Sequence, residues 1–189
     1  CAARVLDVQA GRVTGVHTED GTVKAEQVLV AAGLWAGRFL ANHGLRLPQL
    51  LVNTTVARTE AVAEPVPLAF GYTDACFRAR VDGGYTLTAG EMMEHELCAD
   101  SFTYGWAFLP VLKKYWRNVS VLPGFNAGLK DRLWPARRWA ADDLTPFEET
   151  RVLNPSLSNR QFKKIRRDIS RHLPDLGSLA ITEAWTGSA

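Results

Sequence analysis

The 189-residue sequence has no apolar run that approaches the roughly 18 residues of a membrane-spanning helix. It has only three cysteines, Cys1, Cys76 and Cys98, and their odd number and wide spacing favour free thiols in a reducing cytoplasm over a disulfide framework. It also lacks a strong excess of charge, because the formal net charge is +2. Neither nucleic acid nor a membrane is therefore expected as a partner.

Several chemical motifs are missing as well. There is no G-x-G-x-x-G fingerprint, so a complete dinucleotide site is not encoded, and no G-x-S-x-G elbow of a hydrolase. The metal-ligand types between Glu91 and Asp100 lack paired spacing, which favours a solvated connection and predicts no metal site. Residue 1 is Cys and a strand-like segment follows at once, so we expect an internal fragment, with a lipidated Cys1 as the alternative.

Turn residues and alternation predict strands over residues 4–32, with a two-residue reversal at Ala10-Gly11. The run from Val28 to Ala32 is short and rich in valine, which is typical of a strand buried on both faces in a parallel sheet. Gly33 ends this run, and Gly44 would cap the helix that follows. A buried strand that turns through glycine into a helix suits a nucleotide phosphate or a flavin, and a plain strand-to-helix turn is the alternative.

The pattern changes near residue 46. CFRARV and YTLTAGE flank Asp82-Gly83-Gly84, which predicts a β-hairpin in a largely antiparallel sheet. Residues 101–117 carry large apolar side chains at near-helical intervals and predict a helix whose tryptophans anchor a core. These side chains are Phe102, Trp106, Leu109, Leu112 and Trp116.

A second helix is predicted from Ser158 to His172, where Ser158 and Gln161 form a capping pair. Its apolar stripe consists of Phe162, Ile165, Ile169 and Leu173. The basic outer side of this helix is either a water-facing surface or a site for an anionic partner. Together the segments predict a mixed α/β (α+β) fold.

Five segments resemble, in the same order, the interior of the FAD-dependent D-amino-acid oxidase (DAO) superfamily. They are RVTGVHTEDGTVKAEQVLVAAGLWAGRFL, GLRLP, FRARVDGGYTL, TPFEETRVLNP, and LPDL with ITEAWTG. The resemblance implies part of an FAD-binding Rossmann-type domain at 1–45 and a return strand to it at 177–189. Between them, residues 46–176 would form a substrate-binding domain with a mixed, largely antiparallel sheet and flanking helices.

The resemblance also implies a cofactor and a reaction. FAD would accept a hydride from an amine or amino-acid substrate, and the flavin would do the bond chemistry. The implied cofactor contacts are Val5, Ala31, Ala32, Gly33, Trp35 and Gly187. No catalytic residue is assigned, because a neutral amine delivers its hydride directly in a dry, well-aligned cavity.

The substrate site would need a guanidinium clamp if the substrate carries a carboxylate. Arg78 and Arg80 are the candidates because they lie two apart on one strand, and a solvated edge face is the equal alternative. Tyr85 across the hairpin would orient the substrate, and Trp185 lies on the strand that returns to the flavin ring in this family.

A non-enzymatic α/β ligand-binding module without cofactor remains the alternative function. The missing glycine-rich segments further predict that this chain exposes an apolar groove beside Gly33 and binds FAD weakly or not at all by itself. The oligomeric state is left open.

Overall fold

The computed structural model describes residues 1–63, 69–71, 75–123, 138–172, 174 and 179–188. The chain divides into two compact units, each assembled from separate stretches of sequence. The first unit takes 1–51, 97–109 and 124–153, and the second takes 52–96, 110–123 and 154–189. The chain first passes from one unit to the other after residue 51, close to the domain boundary predicted near residue 46. The assignment of a cofactor domain and a substrate domain stays a prediction.

The first unit contains a three-stranded antiparallel meander. Its strands are β1 (Ala3–Gln9), β2 (Arg12–Thr18) and β3 (Gly21–Lys24). The predicted reversal at Ala10-Gly11 is confirmed, because both residues have positive φ and join Gln9 to its partner Arg12. Such left-handed pairs match the twist of a hairpin.

The apolar run Val28–Ala32 is not a buried strand, which corrects the prediction. Residues 25–32 carry no strand assignment, and the side chain of Leu29 is 90% exposed. The run has strand composition, but no strand in the described part of the chain pairs with it. A buried strand is a property of the sheet around it as well as of its own residues.

A single 3-10 turn, Gly33–Trp35, leads from this run into helix α1 (Ala36–Asn42). Gly44 has a φ of 76°, and the backbone N–H groups of Gly44 and Leu45 donate to the carbonyls of Ala41 and Leu40. The predicted glycine cap of this helix is therefore confirmed.

The second unit is built on a seven-stranded mixed sheet in the order β5-β6-β7-β4-β8-β9, with β10 paired to the other edge of β4. The strands are β4 (Asn53–Thr59), β5 (Ala69–Gly71), β6 (Cys76–Ala79), β7 (Tyr85–Thr88), β8 (Met93–Glu96), β9 (Val119–Leu122) and β10 (Ile181–Ser188). Among the strands of the described residues, only β8 and β9 pair in parallel, and the predicted hairpin is the β6–β7 pair. The predicted largely antiparallel, mixed sheet is confirmed.

One face of this sheet packs on helix α4 (Asn159–His172). Ile165 and Ile169 of α4 join a core that includes Phe77, Tyr85 and Leu87 of the hairpin. Phe162 packs at the margin of this core, so three members of the predicted stripe face it, while Leu173 lies outside the described residues.

Only one of the two interactions of the predicted capping pair forms at the start of α4. The Ser158 hydroxyl accepts a hydrogen bond from the backbone N–H of Gln161 at 3.2 Å. The Gln161 amide instead reaches the sheet, where its Nε2 donates to the carbonyl of Asn53 at 3.1 Å and its Oε1 accepts from the N–H of Thr55. Gln161 thereby satisfies the backbone of β4 where its pairing passes from β7 to β8.

Helix α2 (Ala99–Tyr115) has no buried side chain. Trp106 is 80% exposed, and Trp116, just after the helix, is 65% exposed. The expectation that these tryptophans anchor a core is therefore wrong. The half-exposed side of α2 instead carries Tyr104, Phe108, Leu112 and Tyr115.

Helix α3 is a short turn in the first unit, Pro146–Glu149. None of the helices in the described ranges has both the length and the hydropathy of a bilayer-crossing segment. All three cysteines are free thiols, as predicted.

Candidate functional site

The first unit contains an apolar pocket of about 620 Å³ beside the turn at residues 31–33. Its lining residues are Cys1, Ala2, Ala3, Val16, Val28, Leu29, Val30, Ala31, Ala32, Trp35, Phe39, Phe147 and Arg151. Three of the predicted cofactor contacts, Ala31, Ala32 and Trp35, therefore share one cavity. The predicted apolar groove beside Gly33 is confirmed.

Trp35 forms part of an aromatic wall that the sequence did not reveal. Its ring lies edge-on to Phe147, with centroids 5.5 Å apart, and Phe147 lies edge-on to Trp139 at 5.4 Å. Edge-to-face pairs at this separation are favourable because the positive ring edge meets the negative ring face. No local pattern links residues this far apart along the chain, so sequence reasoning missed Phe147.

The segment that carries Phe147 is fixed to β1 by polar contacts. The Arg4 guanidinium donates to the Glu148 carboxylate at 2.7 Å, and the Trp139 indole N–H donates to the carbonyl of Arg4 at 2.7 Å. Hydrogen bonds from Arg4 and Thr145 lower the pKa of Glu148 to about 2. Glu148 also closes a capping box with Thr145 at the start of α3.

An ion pair between Arg151 and Glu19 borders the pocket. Both terminal nitrogens of Arg151 donate to the carboxylate of Glu19, at 2.8 and 2.6 Å. This bidentate contact, together with the backbone N–H of Ala2, lowers the pKa of Glu19 to about 2. Arg151 therefore lines the pocket as one half of an ion pair.

The other two predicted cofactor contacts of this unit, Val5 and Gly33, are not among the residues that line the pocket. Val5 lies within β1 opposite His17 and is not among the pocket-lining residues. Gly33 has a φ of 52°, and a Cβ built there meets no atom within 4 Å. Glycine is therefore favoured at position 33 by the backbone conformation and not by crowding.

The pocket has the volume and the lining of a small-molecule site. Its lining is predominantly apolar, and its volume lies in the ordinary range for small-molecule sites, about 300 to 1,000 Å³. The glycine fingerprint that would cradle a pyrophosphate is absent from the sequence. Ala31, Ala32 and Trp35 would accordingly contact a ring system of FAD.

In the second unit, the sheet face opposite α4 presents two rows of side chains, which we call the open face. Strand pairing places Trp185, Val56, Thr88 and Cys76 in one row. It places Glu183, Arg58, Thr86 and Arg78 in the next row. Because side chains alternate along a strand, these residues point away from the α4 core.

Three arginines on or next to the open face differ in their partners. The Nε of Arg58 lies 3.2 Å from a carboxylate oxygen of Glu183. Arg80 donates from Nε and Nη2 to Asp82 at 3.0 to 3.1 Å, and this bond lowers the pKa of Asp82. Arg78 forms no ion pair with any residue in the described part of the chain. Sequence reasoning missed Arg58, although the alternation along β4 would have placed it on this face.

Tyr85 does not share the face of Arg78, which corrects the expectation that it stands beside the clamp. It is 2% exposed and belongs to the core beneath α4. The strand pair sets Arg78 opposite Thr86, so Tyr85, the next residue along, points to the other face. Trp185 does lie on the open face, and Gly187 follows two residues later on the same strand.

An apolar pocket beside a glycine turn is typical of an enzyme that binds an aromatic cofactor. Residues 1–189 match the family described as FAD dependent oxidoreductase, and the chain belongs to this family. FAD is the cofactor of the family.

Known relatives agree with this assignment. Glycine oxidase of Pseudomonas putida is 50% identical over 40 residues, which is 21% of this chain and 11% of that protein. L-amino acid deaminase from Proteus vulgaris superposes with a TM-score of 0.84 at 26% identity, covering 99% of this chain and 43% of the deaminase. The deaminase from Proteus myxofaciens, solved in complex with anthranilate, shares the fold with a TM-score of 0.87 at 23% identity, covering 100% and 42%. The chain thus spans about two fifths of the deaminases it matches.

Proposed function

We propose that the full-length protein oxidises an amino acid at the carbon that carries the amine, and that Arg78 binds the substrate carboxylate. The family supports the flavin chemistry, and the names of the relatives, glycine oxidase and L-amino acid deaminase, support an amino-acid substrate. The observation that carries the residue assignment is the different pairing of the three arginines. Arg58 and Arg80 each have a carboxylate partner, whereas Arg78 has none among the described residues.

The open face is long enough for an amino-acid substrate. Neighbouring strands lie about 4.8 Å apart, so the row from Trp185 to Cys76 spans about 14 Å. Val56 and Thr88 form the floor between these ends, and Arg78 rises from the next row. A substrate carboxylate on Arg78 would thus leave its side chain over a floor of branched residues toward Trp185.

The chain's own residues supply binding and orientation. A guanidinium gives two parallel charge-assisted hydrogen bonds at a fixed angle, which orients a carboxylate as well as holding it. Ala31, Ala32 and Trp35 would hold a ring of FAD in the first unit. When bound, FAD supplies the hydride acceptor.

The test uses the full-length protein and a panel of amino acids. Arg78→Ala should raise KM about a hundredfold, and Arg78→Lys should recover part of the loss. Arg12→Ala, at the exposed first residue of β2, should leave KM unchanged. An unchanged KM in Arg78→Ala would remove the clamp from the proposal while leaving the flavin chemistry intact.

A ligand-binding module without cofactor is the second candidate. Absorbance separates the two candidates. Purified full-length protein that shows the flavin bands and is bleached by an amino acid supports the oxidoreductase. Colourless protein that takes up no FAD supports the module.

A further inference from the structure

Three arginines of the second unit surround Thr86 on the open face. Strand pairing sets Arg58 of β4 and Arg78 of β6 opposite Thr86, one on each side. Arg80 follows just after β6, and its Nη1 donates to the Thr86 hydroxyl at 3.4 Å. Neighbouring strands lie about 4.8 Å apart, so about 10 Å separates the backbones of Arg58 and Arg78. Both side chains are long enough for their guanidinium groups to meet above Thr86.

Positive charge exceeds negative charge in this arginine cluster. Glu183 pairs with Arg58, and Asp82 pairs with Arg80. Hydrogen bonds from Arg80 and from the backbone N–H of Gly84 lower the pKa of Asp82, and the charge of Arg58 adds to this effect. The third guanidinium, that of Arg78, has no such carboxylate among the described residues. The cluster therefore matches a ligand with one net negative charge.

Arg58 keeps donors for a ligand although it has a partner. Its Nε lies 3.2 Å from the Glu183 carboxylate and 3.4 Å from the Thr182 hydroxyl. Neither terminal nitrogen of Arg58 donates a hydrogen bond to a residue that the structure describes. The side chains of Arg58 and Glu183 are 41% and 55% exposed, and ion pairs in contact with water hold their partners weakly. The two terminal nitrogens thus form a fork that suits a carboxylate.

We propose that the substrate is a dicarboxylic amino acid, whose α-carboxylate binds Arg78 and whose side-chain carboxylate binds Arg58. This substrate class rests on the amino-acid oxidation proposed above. Val56 lies two residues before Arg58 on the same face of β4. The methylene groups of the substrate would therefore cross Val56 before the second carboxylate reaches Arg58. Arg80 is less suited to this role, because Asp82 accepts hydrogen bonds from its Nε and Nη2.

The charge balance also separates this substrate class from others. An amino acid with two carboxylates and one ammonium has one net negative charge, which compensates the excess charge of the arginine cluster. A neutral side chain would cover the Arg58 guanidinium without giving it a partner, which is unfavourable for a charged group. A basic side chain could approach Glu183, but it would bring a further positive charge beside three guanidinium groups.

The first experiment compares acids with their amides as substrates of the full-length protein. We expect kcat/KM for aspartate and glutamate, tested as both enantiomers, to exceed that for asparagine and glutamine at least about tenfold. Acid and amide have nearly the same size and shape, so their ratio reports the charge. Arg58→Ala should lower this ratio to about one, and Arg58→Lys should keep part of it. Arg12→Ala, at the exposed first residue of β2, should keep the wild-type ratio.

Glu183→Gln tests the same assignment in the opposite direction. The change removes the anion that competes for Arg58, so the acid-to-amide ratio should rise about threefold. A residue that only supports the fold would change kcat/KM for acids and amides alike. Circular dichroism checks that each variant is folded. An unchanged ratio in both Arg58→Ala and Glu183→Gln would overturn the role of Arg58.

Calorimetry with the full-length protein measures binding without oxidation. Succinate and butyrate have the same chain length and no amine, and only succinate has a second carboxylate. Wild type should bind succinate about tenfold more tightly than butyrate, and Arg58→Ala should bind both equally. Preference for succinate without oxidation of any amino acid would support the dicarboxylate site and overturn the proposed oxidation.

Two results would overturn the dicarboxylic substrate while the proposed oxidation stands. One is oxidation of neutral amino acids with an acid-to-amide ratio of one or less. The other is a higher kcat/KM for lysine or arginine than for aspartate or glutamate, which would assign the side-chain site to Glu183.

Discussion

The ring of Phe147 stands edge-on to Trp35, with the two centroids 5.5 Å apart and the planes inclined by 75°. Both residues line the apolar pocket of the first unit. Phe147 also touches Trp139, whose backbone exchanges two hydrogen bonds with the side chain of Asn42. Phe147 and Arg151 therefore form one wall of the pocket, and Trp139 supports Phe147 from behind that wall.

Removing the Phe147 ring should loosen this wall. Phe147→Ala should lower the free energy of unfolding of the full-length protein by about 2 to 3 kcal/mol, since the ring is half-buried and both edge contacts are lost. Urea denaturation measures the change. Val152→Ala, at a neighbouring exposed valine, should cost less than about 0.5 kcal/mol. Equal effects of the two changes would mean that Phe147 does not support the wall.

The Arg4–Glu148 contact should make the first unit sensitive to acid. The pKa of Glu148 is lowered from 4.5 to about 2 when folded, so the unfolded chain binds the proton more readily. The contribution is therefore complete above pH 4.5 and is lost as the pH falls toward 2. Stability measured between pH 5 and pH 2 should fall less steeply in Glu148→Gln than in the wild type. Parallel curves would contradict this.

His43 should add a pH dependence nearer neutrality. Its Nε2 accepts a hydrogen bond from the backbone N–H of Leu6 at 3.1 Å, and burial lowers the pKa of the imidazole below 6.5. The unfolded chain then takes up the proton first, so the contribution is complete above pH 6.5 and declines as the pH falls below it. NMR titration of His43 should give a pKa below 6.5.

Replacement of His43 checks the same prediction by stability. His43→Ala should be less stable than the wild type at pH 8, and the gap should narrow at pH 5, where the wild type loses its hydrogen bond to Leu6. A constant gap at both pH values would show that protonation of His43 is not coupled to unfolding.

Gly33 and Gly187 form a matched pair for testing the backbone conformation at residue 33. A Cβ meets no atom within 4 Å at either position, but only Gly33 has a positive φ, of 52°. Gly33→Ala should therefore destabilise the protein by about 1 kcal/mol, while Gly187→Ala should be neutral or slightly stabilising. Thermal unfolding measures both. Equal shifts would indicate that the left-handed conformation at residue 33 carries no cost.

Local sequence signals predicted the features that depend on neighbouring residues. The Ala10-Gly11 reversal, the Gly44 cap and the Phe162–Ile169 stripe all follow from conformational preference or periodicity within a few residues. The order of five segments indicated the family. The structure confirms the reversal, the cap and the stripe because residues that are close in the sequence determine each of them.

The tertiary structure decided which side chains are buried and on which face of a sheet or helix they lie. Both properties depend on partners elsewhere in the chain. The run at 28–32 has the composition of a strand but pairs with no strand among the described residues. The large apolar side chains of α2 are exposed, although their spacing is typical of a helix that packs on a core. The hairpin register separates Tyr85 from Arg78, and Glu183 and Asp82 hold Arg58 and Arg80 while Arg78 has no such partner in the described residues. Periodicity shows that a face exists, and only the packed chain shows what that face meets.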